Sequence, residues 1–206
     1  MTRFFLIRHA ANDHSGQAFA GRAAGIHLNA EGREQALGLA ARFAGVPVAA
    51  VYSSPLERAM QTADAIATVL GRVVISREEF LELDTGRWTG QRFDALGEDP
   101  GFRRFNQLRS CSGAPGGELM LQAQARMVAG LEALRREHPG QNVVVVSHGD
   151  MIRAALAHCL GMPLDLMLRL VVEMGSVSIV GIGEGEVRVE AINDTGRQRL
   201  AVVAAG

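Results

Sequence analysis

Asn142–Val146 reads Asn-Val-Val-Val-Val and is the strongest strand signal in the chain. β-Branched side chains are stiff at χ1 and pack well on a pleated surface, so a run of them is poor helix and good strand. Around this strand the chain alternates two periods. Arg3–Ile7 is a short apolar run that suits a buried strand, and residues 30–44 carry Ala36, Leu37, Leu39, Ala40 and Phe43 as a helical stripe. Val48–Tyr52 reads as strand. The next helix is predicted to start at Ser54-Pro55, with Ser54 as cap and Glu57 closing a capping box, and to stop at Gly71. Val73–Ser76 is a further strand candidate. Glu118–Glu137 and 150–160 read as helices, followed by the short apolar run Leu170–Glu173. Ser176–Ile182 and Glu186–Ile192 flank Gly183-Glu184-Gly185 as a closing hairpin. Strands alternating with helices imply a three-layer αβα domain around a mostly parallel sheet, spanning 1–206. Residues 80–117 break the pattern, being rich in Gly, Arg and Phe, and are expected to form loops and short helices capping one end of the sheet.

Composition narrows the partners. The chain has 206 residues, 48% apolar and 21% charged, which fits a packed globular domain and not a disordered one. A net charge of −1 gives no general cation excess for binding nucleic acid. All 21 basic side chains are arginine. No stretch is apolar enough to cross a bilayer, and the apolar N-terminal run is too short for a signal peptide. Cys111 and Cys159 make no disulfide framework. The expectation is a soluble, cytoplasmic protein, with the final strands as the surface for any homodimer.

Two strands end alike. The first delivers Arg8-His9, and the valine strand delivers Ser147-His148-Gly149-Asp150. Ligands of open α/β sheets bind beyond the carboxyl ends of the strands, so two histidines released there can face one crevice. Arg58 lies just inside a helix whose N-terminus follows a third strand. Helix N-termini and arginine forks both favour oxyanions, and the inventory suits a phosphoryl group. Taken singly, each residue has a plainer reading: a loop histidine, a surface arginine, a solvated glutamate. His14, His27, His138 and His158 lack metal-ligand spacing and read as structural or exposed. Trp88 reads as a core plug. Ser147 and Asp150 read as caps of the helix after His148, which disfavours a Ser-His-Asp hydrolase.

In these residues the chain resembles the histidine phosphatase superfamily, the phosphoglycerate-mutase-like proteins. Leu6-Ile7-Arg8-His9 is similar to its Arg-His-Gly signature, and Leu28-Asn29-Ala30-Glu31-Gly32 with Gln35-Ala36 to its first helix. Ser53–Ala63 resembles its second motif, and Leu81–Gly90 its acid-bearing loop. Pro115-Gly116-Gly117-Glu118 and Val146–Asp150 complete the series of matches, all in the right order. The resemblance implies that His9 attacks phosphorus, that Arg8, Arg58 and His148 hold the phosphoryl oxygens, and that Glu82 passes the proton. It implies no metal and no other cofactor, because arginines supply the positive charge. The implied partner is a small phosphorylated metabolite, with Asn12, Gly21 and Arg22 as further contacts.

The chain departs from the pattern at Ala10, where the family has glycine, and at Ala11 and Asn12. The expected activity is metal-independent hydrolysis of a phosphomonoester through a phosphohistidine. Two alternatives compete with it. A cofactor-dependent phosphoglycerate mutase would grip the substrate carboxylate with a tyrosine, a lysine and an arginine pair. Here Thr85 stands at the tyrosine position and the chain holds no lysine, although Arg103-Arg104 imitates the pair. A non-catalytic phospho-ligand binder on the same fold would have no need of Glu82.

Overall fold

The structure, a computed structural model, describes residues 1–196; the final ten positions of the 1–206 span lie outside the described residues. The elements in chain order are β1 (Thr2–Arg8), α1 (Ala30–Arg42), β2 (Val48–Ser53), α2 (Glu57–Leu70), β3 (Val74–Ser76), α3 (Phe93–Leu96), α4 (Pro100–Gln107), α5 (Met120–Glu137), β4 (Asn142–Ser147), α6 (Gly149–Cys159), β5 (Val177–Ile182) and β6 (Val187–Asp194). Among the described residues they build one six-stranded sheet in the order β3-β2-β4-β1-β5-β6. The four strands from β3 to β1 are parallel, and β5 and β6 add an antiparallel edge. This is the expected mostly parallel αβα architecture.

The strand period of two explains the layers. Phe4, Leu6, Tyr52, Val143 and Val145 face one side and pack on Met127, Leu131 and Leu134 of α5 and Ile152 and Leu156 of α6. Phe5, Ile7, Val51, Val144 and Val146 face the other and pack on Leu39 of α1, its C-cap Phe43, and Ala63 and Ile66 of α2. Every valine from Val143 to Val146 is fully buried, because helices cover the sheet on both faces.

Register then places the chemistry. Arg8 pairs with Ser147, and Ser53 with Val146, so β1, β2 and β4 end at one level. The ladder runs one residue further, His9 N–H donating to the Ser147 carbonyl at 3.0 Å and Ser54 N–H to the Val146 carbonyl at 2.9 Å. His9, Ser54 and His148 therefore emerge side by side.

Several local expectations change. The helix predicted from Ser54 begins at Glu57 with Leu56 at its N-cap and no side-chain cap; Gly71 does end it, in the left-handed region at φ 61°. Helix α5 starts at Met120, two positions after Glu118. Leu170–Glu173 is irregular, following a 3-10 turn over Leu164–Arg169. Neither Ser147 nor Asp150 caps α6: Ser147 Oγ donates to the Phe80 carbonyl, and Asp150 pairs with arginines. Residues 80–117 hold a 3-10 turn at Gly86–Trp88 plus α3 and α4. Trp88 is 3% exposed there, packed on Phe19, Phe102 and Phe105.

Candidate active site

A cleft of about 180 Å³ opens at the carboxyl ends of β1, β2 and β4. Arg8, His9, Asn12, Gly21, Arg58 and Glu82 all line it, although they come from four separated stretches of chain.

His9 is 5% exposed, and its Nδ1 lies 2.8 Å from the Ala10 carbonyl oxygen. A carbonyl only accepts, so Nδ1 carries the proton and Nε2 keeps its lone pair. Burial, with Arg58 and Arg8 beside it, lowers the His9 pKa to about 3. The ring is thus neutral across the physiological range, with the Nε2 lone pair available. His148 stands behind it, the two ring centroids 5.2 Å apart. Its Nε2 lies 2.8 Å from Ser54 Oγ, while Nδ1 has no hydrogen-bond partner among the described residues. Burial first, then Arg58 and His9, hold its pKa well below the ordinary value.

Arg58 in the first turn of α2 is 1% exposed. Its Nη2 donates to the Gly21 carbonyl at 2.8 Å, and its Nε and Nη1 are buried with no partner among the described residues. Arg8 spends Nη1 on the Val172 carbonyl at 2.7 Å and leaves Nε likewise unpartnered. Buried donors are costly to leave unmade, and here several line one cleft or lie just behind it, the arrangement an oxyanion would satisfy.

Glu82 completes the ring of groups. Its Oε1 accepts from Leu83 N–H at 2.9 Å, and its side chain is 18% exposed. Burial, reinforced by the Asp150 charge, raises its pKa to about 7 against the opposing pull of Arg58. A carboxyl poised there can give and take a proton at neutral pH. Burial works against the Asp150 charge, yet Arg109 at 2.8 Å and Arg153 at 3.1 Å hold its carboxyl below the usual range.

The remaining sequence candidates fall as follows. Asn12 is buried and its Oδ1 accepts from His14 N–H, shaping the loop. Gly21 sits at φ 48°, and a Cβ there would lie 2.4 Å from Thr85 Oγ1, so glycine is required on two counts. Arg22 does not line the cleft: its Nε donates to the Glu82 carbonyl and its Nη2 to Glu118, which takes it away from any bound anion. Ala10 needs no glycine backbone, since it has no positive φ and its N–H donates to Thr62 Oγ1. Arg153, Phe19 and Phe93 line the cleft and were not singled out from sequence. Arg153 could have been found, lying four residues after Gly149 on the same helix face. Among the described residues no cluster of three or more His, Cys, Asp or Glu is arranged to hold a metal ion.

A neutral imidazole, two guanidiniums and a protonatable carboxyl around one cleft define an α/β protein built to handle a tetrahedral oxyanion. The chain belongs to the histidine phosphatase superfamily (branch 1), whose family model matches residues 4–195. It is 31% identical over 189 residues to phosphoserine phosphatase 1 of Hydrogenobacter thermophilus, covering 89% of this chain and 88% of that one. It is 35% identical over 202 residues to a bifunctional protein of Mycobacterium tuberculosis, covering 95% of this chain but only 54% of the larger protein. The fold superposes on a mutant phosphoserine phosphatase of Entamoeba histolytica in complex with phosphoserine, with a TM-score of 0.86, 25% identity and coverage of 95% and 98%. More distant relatives, 28% identical, carry the name "Probable phosphoglycerate mutase". Together the fold and these relatives support a phosphomonoester hydrolase.

Proposed function

We propose that the protein hydrolyses a small phosphomonoester in two steps, through a phosphohistidine at His9 and without a metal ion. The observation that carries this reading is the pairing of opposite proton states on one cleft: His9 is held neutral while Glu82 is held near pH 7. Nε2 of His9 attacks phosphorus in line with the ester oxygen. The N–P bond forms, the P–O bond breaks, and Glu82 gives its proton to the departing alkoxide. Arg8 and Arg58 take the charge of the phosphoryl oxygens, and the helix dipole of α2 adds to them. With the Ser54 hydroxyl donating to Nε2 of His148, the His148 Nδ1–H supplies a further donor. Glu82, now ionised, deprotonates a water that attacks phosphorus, releasing phosphate and restoring His9 and the Glu82 proton.

Residues 80–117 act as a cap, contributing Glu82, Thr85 and Phe93 to the cleft wall. Phe19 and Phe93 give the leaving group an apolar surface beside the polar Asn12 and Arg153. The relatives make phosphoserine the first substrate to try. Thr85 favours hydrolysis over mutase chemistry, because its short side chain lacks a tyrosine's phenol and its hydroxyl is already bonded to Thr89 Oγ1 at 2.8 Å. The two free cysteines suit the cytoplasm. A homodimer through the exposed Val187 and Ile192 of β6 is a further part of the proposal, read by gel filtration.

The test is hydrolysis of 4-nitrophenyl phosphate and a panel of phosphorylated metabolites in the presence of EDTA. The wild type is expected to turn over and His9→Ala to be inactive. Rapid quench of Glu82→Gln with labelled substrate should trap an acid-labile, base-stable phosphoenzyme. Full activity of His9→Ala would overturn the mechanism.

A further inference from the structure

Behind the catalytic carboxyl lies a second polar cluster that takes no part in the steps above. Arg22 Nε donates to the Glu82 carbonyl at 2.8 Å and its Nη2 to Glu118 at 2.9 Å. Arg126, on α5, grips Glu118 from the other side through Nε at 3.1 Å and Nη2 at 2.9 Å. Its Nη1 reaches the carbonyls of Glu79 at 2.8 Å and Leu81 at 2.9 Å, and its Nη2 lies 3.4 Å from the Glu82 carbonyl. Glu118 is itself tied down, its N–H donating to the Asp84 carbonyl at 2.9 Å. One carboxylate thus holds two guanidiniums, and both converge on the backbone of one residue. Among the described residues the side chain of Glu82 has no comparable hold: its one hydrogen bond there runs to the next residue's N–H.

From this geometry we infer that Arg22, Glu118 and Arg126 are positioning residues for Glu82, fixing its backbone so that its carboxyl meets the leaving oxygen. The inference rests on Glu82 being the proton donor. An acid that must reach an ester oxygen within hydrogen-bond distance loses its effect over displacements of about 1 Å, so a rigid backbone matters more here than for a solvated carboxylate. Arg22 is the cleaner probe, since Arg126 also ties three other carbonyls.

The experiment compares phenyl phosphate, whose leaving group needs protonation, with 4-nitrophenyl phosphate, whose leaving group does so far less. For Arg22→Ala, kcat/KM is expected to fall about tenfold more on phenyl phosphate than on the nitro ester. The inhibition constant of inorganic phosphate should stay within about twofold, because Arg22 does not touch the anion. Arg22→Ala combined with Glu82→Gln should show no further leaving-group effect than Glu82→Gln alone. If Arg22→Ala yields no folded protein, Arg22→Gln is read by the same ratio. Equal losses on both esters, or a markedly weakened phosphate affinity, would overturn the inference while Glu82→Gln stays leaving-group dependent. Loss of that dependence in Glu82→Gln itself would instead overturn the acid assignment beneath it.

Discussion

Nδ1 of His148 stands 3.8 Å from Oε2 of Glu82, a separation that would mark an ion pair between exposed side chains. Here both groups are held uncharged. Burial and the neighbouring guanidinium of Arg58 keep His148 neutral, while burial and the Asp150 charge keep Glu82 largely protonated up to about pH 7. The positive charge facing a bound phosphoryl group therefore comes from arginine, and the protons stay free to move.

On the proposed mechanism, the pH profile follows from two groups of opposite requirement. His9 must be neutral, so kcat/KM is lost as pH falls through about 3. Glu82 must be protonated, so kcat/KM on phenyl phosphate is lost as pH rises through about 7. Glu82→Gln should lack the alkaline limb. The ester's own ionisation near about pH 6 is common to both enzymes, so the difference between their profiles isolates Glu82.

Stability should carry the same signature. The folded-state pKa of Glu82 is raised from 4.5 to about 7, so its favourable contribution is full below 4.5 and is lost as pH rises through about 7. Glu82→Gln removes this dependence. The variant is expected to be more stable than wild type at pH 8 by about 3 kcal/mol, and close to wild type at about pH 4. Calorimetry at the two pH values measures it; a constant difference would refute it.

Inorganic phosphate should stabilise the protein through the unpartnered nitrogens of Arg58 and Arg8. At about 100 times its Kd the expected gain is about 2.7 kcal/mol. Arg58→Ala should lose most of that gain and reduce kcat/KM on the order of 10²- to 10³-fold. Arg58→Lys should not restore it, because one ammonium cannot hold the Gly21 carbonyl and an anion in the geometry of a guanidinium fork. Thermal shift against phosphate concentration reads the stabilisation in all three proteins, and initial rates read kcat/KM.

Gly32 sits in the first turn of α1, and a Cβ on it would lie 1.9 Å from the Ala11 carbonyl oxygen. That neighbour is backbone and cannot swing aside. Gly32→Ala is expected to cost about 3 kcal/mol and to displace the chain after His9, lowering both the denaturation midpoint and activity. Urea unfolding with unchanged m-value and a wild-type midpoint would contradict it.

The sheet and the two strand-end histidines were legible because their signals are local, whereas Glu82 stood out only through the family resemblance. The valine run declared β4, and His9 and His148 declare themselves by following strands. What escaped depends on partners far along the chain. Ser54 looks like a cap in any short window, but its hydroxyl meets His148, 94 positions away, and the helix starts later. Asp150 also has the chemistry of a cap, and only the fold brings Arg109 to it. Arg22 carries the charge of an anion contact, yet which carbonyl it meets is decided by where the 80–117 segment lies. Arginine's several donors let it serve substrate or scaffold, and sequence does not say which.

Strands β1, β2 and β4 lie side by side although β4 begins nearly a hundred positions after β2 begins. Pairings between such distant segments form slowly, because the chain must close large loops before the contacts reward it. His9, Ser54 and His148 acquire their neighbours only when that pairing is complete. In a refolding experiment, helical signal should therefore return first, and turnover should appear only with the last and slowest phase. The enzyme's own catalysis would serve as the clock for closure of its sheet.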